Sequence, residues 1–181
     1  MRVAIDGTQS TGKTTLLTAL REEHLGDFIF LNEAARRLAP QVGISVTEDW
    51  AALFESPSRH LEFLRRLFAY QSSLEAEARH FMVDGSLYKI LAYALTFGFA
   101  VDDVTASTNE ISYDLIVYCP PNIAFQDDGF RYQENRDELA ARLEQLYDRL
   151  YGGRLMIASG STRERVEQVH SALHQSNPQE F

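Results

Sequence analysis

Short runs rich in Val, Ile and Phe alternate along this chain with longer stretches in which apolar residues recur at helical spacing. The β-type runs fall at 2–6, 28–31, 81–84, 114–119 and 154–158. Between them, 13–24 carries Leu16, Leu17 and Leu20 on one stripe, and 59–80 places Leu61, Leu64, Phe68, Leu74 and Ala78 at helical spacing. Segments 86–97, 136–151 and 162–173 read as helices too, and Gly152-Gly153 supplies the positive-φ positions that stop the fourth. Strands alternating with helices predict an α/β three-layer sandwich, a five-stranded parallel sheet flanked by helices.

A length of 181 residues suits a single domain, 1–181, and no repeat, low-complexity tract or composition shift marks a linker. Hydrophobic residues at 45% and charged residues at 24% are average for a globular domain, and no apolar run approaches the ~20 residues of a membrane-spanning helix. The chain opens directly into a strand-like run without a secretory pattern, so a cytoplasmic protein with no membrane partner is expected. Seventeen Lys and Arg against 26 Asp and Glu give a net charge of -9, which disfavours a broad nucleic-acid footprint but leaves room for a local basic pocket. Cys119 is the only cysteine, so intrachain disulfides and multi-cysteine zinc sites are excluded.

The chemistry concentrates at Gly7-Thr8-Gln9-Ser10-Thr11-Gly12-Lys13-Thr14, which fits G-x-x-x-x-G-K-[ST] between the first strand and the first helix. Glycines let the backbone fold round a polyphosphate with its N–H groups turned inward, and the helix N-terminus favours the anion. In that pattern Gln9, Ser10, Thr11 and Gly12 cradle ATP, and Lys13 reaches the β and γ phosphates from a solvent-facing position. Thr14 ligates Mg²⁺, and Thr15 lies near the α-phosphate. Asp6 reads as a turn-capping residue. A motor ATPase would end an apolar strand in Asp-Glu, whereas here Phe81-Met82-Val83-Asp84 runs into Gly85. A GTPase would carry Asn-Lys-x-Asp, and the only lysine besides Lys13 is Lys89.

Asn32-Glu33-Ala34-Ala35-Arg36-Arg37, Asp84-Gly85-Ser86, the block 113–118 and Asp128-Gly129-Phe130-Arg131-Tyr132 together resemble the NadR-like P-loop kinase family. That family includes nicotinamide riboside kinase domains and lies near the thymidylate and deoxynucleoside kinases. The resemblance spans nearly the whole chain and implies a nucleoside/nucleotide-kinase-like fold. It also implies an ATP- and Mg²⁺-dependent kinase acting on a hydroxyl of a nucleoside-like acceptor; the sequence leaves monomer or homodimer open. Carried onto this sequence, it makes Glu33 a general base or hydroxyl-binding group, Arg36 a phosphate holder, and Asp84 a metal-orienting or proton-accepting carboxylate. Glu33 is the preferred base, with Asp84 left open. A bland alternative for Glu33 and Arg36 is an acid and a base paired on a helix surface. Many relatives carry Arg after the Asp, where this chain has Gly85, so a transition-state cation must come from elsewhere, with Arg131 and Arg136 nearest to hand.

Segment 120–137 is longer than an ordinary connection and reads as a lid that brings Arg131 and Arg136 over the phosphates about a pivot at Gly129. The loop holding Ser159 and Ser161 caps the last helix through Ser161 or Thr162, and the resemblance places it against adenine. The acceptor side falls to a helical insertion at 41–80, with Arg66, Tyr70 and Gln71 as its substrate-binding residues. Tyr70, at helical spacing from Leu74, also reads as core. His60 has no partner at ligand spacing and reads as a solvated or core histidine. Two further readings fit the same motifs: a kinase for a hydroxymethyl pyrimidine within DNA, as in related phage enzymes, using a groove with Arg59, Arg65, Arg66 and Arg79, and a regulatory NTPase without an acceptor.

Overall fold

The computed structural model describes residues 1–23, 25, 28–105, 113–122 and 135–176. Five strands, β1 (Arg2–Asp6), β2 (Ile29–Leu31), β3 (Phe81–Asp84), β4 (Leu115–Tyr118) and β5 (Arg154–Ile157), form one parallel sheet in the order β2-β3-β1-β4-β5. Its three inner strands are apolar on both faces because helices cover both, whereas β2 and β5 at the edges are partly exposed. In register, Ile5 lies beside Asp84 and Asp6 beside Tyr118, so β1 and β3 deliver their terminal carboxylates to the same edge of the sheet.

One face is covered by α1 (Lys13–Glu22) and α8 (Thr162–Ser176), with Leu16, Leu20, Val169 and Leu173 packed on Val3, Ile5 and Val117. On the other lie α2 (Ala34–Leu38), α3 (Thr47–Phe54), α4 (Pro57–Ala76), α5 (Leu87–Thr96), α6 (Val101–Val104) and α7 (Arg136–Leu150). Their core joins Trp50, Phe63, Leu67 and Phe68 to Phe81, Leu91, Leu139 and Leu143. Burying each large apolar side chain contributes roughly 1.5–3 kcal/mol, so this larger layer stabilises the side of the sheet on which a cavity opens. No helix among the described residues is long and apolar enough to cross a membrane.

The strands and long helices expected from the pattern are present, within a few residues at their ends. The segment 41–80 holds more than one helix. Pro57 starts α4 at the position where a missing N–H costs nothing, and α3 precedes it. A 3-10 turn, Ala39–Val42, closes α2. The lid segment's Gly129 and Arg131 lie outside the described residues.

Candidate active site

Crowding at the carboxyl ends of β1 and β4 shapes the phosphate loop. Gly7 has φ 138°, and a Cβ there would collide with the Cys119 carbonyl oxygen, so only glycine passes. Gly12 takes the left-handed conformation at the N-terminus of α1. Asp6 is fully buried. It accepts from the Gly7 N–H at 2.8 Å through Oδ1, and from Tyr147 Oη at 2.7 Å and Ser86 Oγ through Oδ2. It locks the loop to α5 and α7.

Gln9, Ser10 and Thr11 are buried within the loop, while Thr14 and Thr15 are exposed on α1. Lys13 differs from its expected solvent-facing position. It is 3% exposed, and its Nζ folds under the loop to donate to the Thr8 carbonyl and approach Thr11 Oγ1 at 3.4 Å. The curled backbone encloses the lysine stem, and its own carbonyl is the nearest acceptor. Burial, and next the charge of Lys89, bring the Lys13 pKa down to about 8.

Across the cleft, Thr14 Oγ1 donates to Asp84 Oδ2 at 2.5 Å. Asp84 is 2% exposed and its pKa is raised, chiefly by burial and then by the charge of Glu33. Its other oxygen, Oδ1, is buried with no hydrogen-bond partner. A hydroxyl and an unpartnered carboxylate oxygen at the mouth of a phosphate loop are the hard donors that magnesium takes beside phosphates and water. Mg²⁺ therefore fits Thr14 and Asp84. No larger His, Cys, Asp and Glu cluster occurs among the described residues.

Glu33 occupies the N-cap position of α2, yet its side chain makes no capping bond. The carboxylate turns inward instead, with Oε1 2.9 Å from Lys89 Nζ and Oε2 3.1 Å from Arg36 Nε. Lys89 went unrecognised as a site residue in the sequence, where it figured only as a lysine outside any motif. Arg136 opens α7 and donates from Nη2 to the Ser10 carbonyl at 3.3 Å, on the loop's rim.

Arg165, also unsignalled by any motif, is buried on α8. It donates to the Thr11 carbonyl at 2.8 Å and the Gly160 carbonyl at 3.0 Å, tying the phosphate loop to the loop after β5. In that second loop Ser161 and Glu164 cap α8 reciprocally, through Ser161 N to Glu164 Oε2 at 2.7 Å and Glu164 N to Ser161 Oγ at 3.4 Å. The Gln168 amide grips the Ser159 backbone at 3.2 and 3.0 Å. Both serines are exposed at the loop's surface.

A cavity of about 90 Å³ opens beside Asp84 and Glu33, reaching Gln9 of the phosphate loop. Its deep walls are Trp50, Phe54, Phe63 and Phe97. Gln71 enters from α4, its Nε2 donating at 2.8 Å both to Glu75 Oε1 and to the Gly85 carbonyl. Two acceptors on one nitrogen fix the amide's orientation and leave Oε1 as its disengaged atom. Glu75 is itself held by Tyr113 Oη at 2.8 Å, and burial lifts its pKa to about 6.

The other two acceptor-side expectations do not reach this cavity. Arg66 is 58% exposed and pairs with Glu62 at 2.8 Å, while Tyr70 packs against the core, as its spacing from Leu74 suggested. They share α4 with Gln71 but point away from it. His60, by contrast, lines the apolar end. It is 2% exposed, with Phe54, Phe97 and Phe99 rings at 5.0, 4.4 and 5.6 Å. That makes it a core histidine, and burial lowers its pKa to about 4.

A phosphate loop on a β2-β3-β1-β4-β5 parallel sheet defines a P-loop protein of nucleoside-kinase fold. The family model described as an AAA domain matches residues 2–165, so the chain belongs to that family, and the NadR-like P-loop kinase resemblance carried by the motifs is borne out. Deoxyadenosine kinase from M. mycoides, solved with its products dCMP and a flexible dCDP, superposes with a TM-score of 0.70 at 14% identity, covering 97% of this chain and 99% of that one. The same enzyme with bound dATP gives 0.67 at 14%, covering 96% and 100%. NadR protein in complex with NAD and AMP-PNP gives 0.60 at 20% identity, covering 99% of this chain and 50% of that one. The chain thus spans half the length of NadR. At these identities the likeness establishes the fold. No curated protein matches the sequence.

Proposed function

We propose that this protein is an ATP- and Mg²⁺-dependent kinase that transfers the γ-phosphoryl group to a hydroxyl of a nucleoside-like acceptor. The observation that carries this reading is a single cavity with aromatic walls that is lined at once by Asp84, by Glu33 and by Gln9 of the phosphate loop. A flat heteroaromatic ring fits such walls, and its sugar hydroxyl would then meet the carboxylates rather than solvent. The solved relatives with deoxynucleotides bound have the same fold.

In the reaction the acceptor hydroxyl oxygen forms a bond to the γ-phosphorus as the bond to the β,γ-bridging oxygen breaks, and ADP leaves. Glu33 accepts the hydroxyl proton. Its contacts with Lys89 and Arg36 fix the carboxylate at the cavity that the acceptor would enter. Asp84 and Thr14 would hold Mg²⁺, which when bound would neutralise phosphate charge. Lys13 leaves the Thr8 carbonyl for the phosphates, and Arg136, already on the Ser10 carbonyl, adds positive charge at the rim. Arg131 remains the second lid cation of this proposal. Ser159 and Ser161 bound the adenine side, on a loop that Arg165 holds against the phosphate loop. Gln71 Oε1 reads an N–H on the acceptor's base edge.

Transfer of labelled phosphate from ATP, screened against nucleosides, nucleotides and hydroxymethyl-pyrimidine DNA, tests the reading. Nucleoside-dependent ADP release is expected. Transfer only to modified DNA, or ADP release indifferent to every acceptor, would overturn it in favour of a DNA kinase or a regulatory NTPase.

A further inference from the structure

Lys89 is a buried ammonium that the mechanism above does not require. Its residue is 8% exposed and its side chain lines the acceptor cavity. Burying a lysine with a glutamate seldom stabilises a fold, since desolving both ions costs about as much as their attraction returns. The pair therefore calls for a reason other than stability.

Three observations converge on one. Glu33 sits where its side chain would normally cap α2, but it makes no cap and instead meets Lys89 Nζ at 2.9 Å. Lys89 reaches it from the first turn of α5, whose start is set by Ser86 Oγ accepting from the Lys89 N–H at 3.3 Å. Gly85, at φ 88°, turns the chain from β3 into α5 so that Lys89 packs back over it, with the Lys89 Cδ and Nζ at ordinary contact distance, 3.4 and 3.6 Å, from where a Cβ would stand.

We propose that Lys89 is the positioning residue for Glu33 on the acceptor side of the transfer site, its ammonium held against the Glu33 carboxylate at the cavity's edge. The proposal rests on the kinase reading above and deepens it. The Lys89 charge is spent on Glu33 rather than on the phosphates. Held through Oε1 by Lys89 and through Oε2 by Arg36, the Glu33 carboxylate is fixed in orientation where it lines the cavity. Lys89 acts through Glu33 and touches no reacting atom.

The test is a double-mutant cycle on the full chain with Lys89→Met, Glu33→Gln and the double variant, measured both on nucleoside transfer and on the slower ATP hydrolysis in which water is the acceptor. Each single variant is expected to lower kcat about 100-fold with KM for ATP within about two-fold, and the double to fall no further than the worse single. Lys89→Arg should recover part of the rate, since charge returns in a different shape. Because Lys89→Met leaves the partly buried Glu33 without the Lys89 contact, its fold is checked against the double variant, which is neutral at both positions.

Multiplicative losses in both reactions, or a Lys89→Met defect confined to thermal stability, would overturn the assignment. A parent protein that transfers to no nucleoside, while the hydrolysis cycle remains non-multiplicative, would overturn the nucleoside reading and uphold Lys89.

Discussion

Thr14 and Asp84 share a hydrogen bond of 2.5 Å that joins the first turn of α1 to the end of β3. It leaves Asp84 Oδ1 buried and unpartnered. A buried carboxylate oxygen without a donor is costly unless something in the working state satisfies it. If magnesium does so, Thr14→Val removes both a ligand and the group that orients the other ligand. The magnesium concentration for half-maximal turnover should rise roughly 10- to 100-fold, and the metal-free thermal midpoint should fall, since Asp84 Oδ2 also loses its donor. A magnesium titration of turnover beside a melting curve checks this, and an unchanged requirement would remove Thr14 from the metal site.

Lys13 makes nucleotide affinity depend on pH. Burial brings its pKa from the ordinary 10.5 to about 8, so the free protein is charged at pH 7 and largely neutral at pH 9. Phosphates need the ammonium, so binding above pH 8 takes up a proton and weakens by up to about tenfold per pH unit. Calorimetry at pH 8.5 in two buffers of different ionisation enthalpy should show this uptake for ATP. Lys13→Ala should stay folded, lose the uptake and abolish transfer. Equal heats in both buffers for the parent would show that Lys13 is already charged or makes no contact with the phosphates.

Where residues had local causes, the sequence was readable. The inner strands are apolar on both faces, and the phosphate loop is specified by adjacent residues, so both followed from short windows. Helix α2 is too short to display a period, and α3 is hidden beside the long pattern of α4. Site residues became obscure when topology created them. Arg163 and Arg165 look equivalent in sequence, but one pairs with Glu167 at the surface and the other is buried against Thr11 and Gly160. Successive helical residues diverge by about 100°, so Tyr70 and Gln71 part company although they are neighbours. Lys89 gains its partner only because the fold brings the N-terminus of α2 within side-chain reach of the first turn of α5.

His60 gives a stability signature at mild acid pH. Its folded pKa of about 4 lies below the ordinary 6.5, so between these values the unfolded chain binds a proton that the native state refuses. Its stabilisation is complete above pH 6.5 and is lost as pH falls toward 4, by about 3 kcal/mol at most. Glu75 works in the opposite sense. Its raised value of about 6 gives stability that is present below 4.5 and lost as pH rises through 6. Subtracting the melting profile of His60→Leu from that of the parent cancels Glu75 and isolates the histidine. The difference should change between pH 6.5 and 4.5; parallel profiles would mean that His60 is hydrated in solution.

Gln71 and Glu75 together should decide which base edge is accepted. The Gln71 amide nitrogen is spent on Glu75 Oε1 and the Gly85 carbonyl, both at 2.8 Å, and rotating the amide would set an oxygen against two oxygens. Oε1 is then available as an acceptor only. A nucleoside presenting an N–H at that edge gains a hydrogen bond, whereas one presenting a ring nitrogen or carbonyl meets repulsion. Discrimination by kcat/KM should reach about 10²-fold or more between a nucleoside and its analogue with that N–H replaced. Gln71→Leu should lower kcat/KM for the preferred nucleoside while leaving the slow ATP hydrolysis intact. Glu75→Gln is the more pointed variant, because its carboxamide offers the Gln71 amide either a donor or an acceptor and so releases the orientation. Its expected outcome is a narrowed preference between the two analogues with both turned over. If Glu75→Gln keeps the parent's full discrimination, the orientation of Gln71 is set by the Gly85 carbonyl alone, and Glu75 serves only the core.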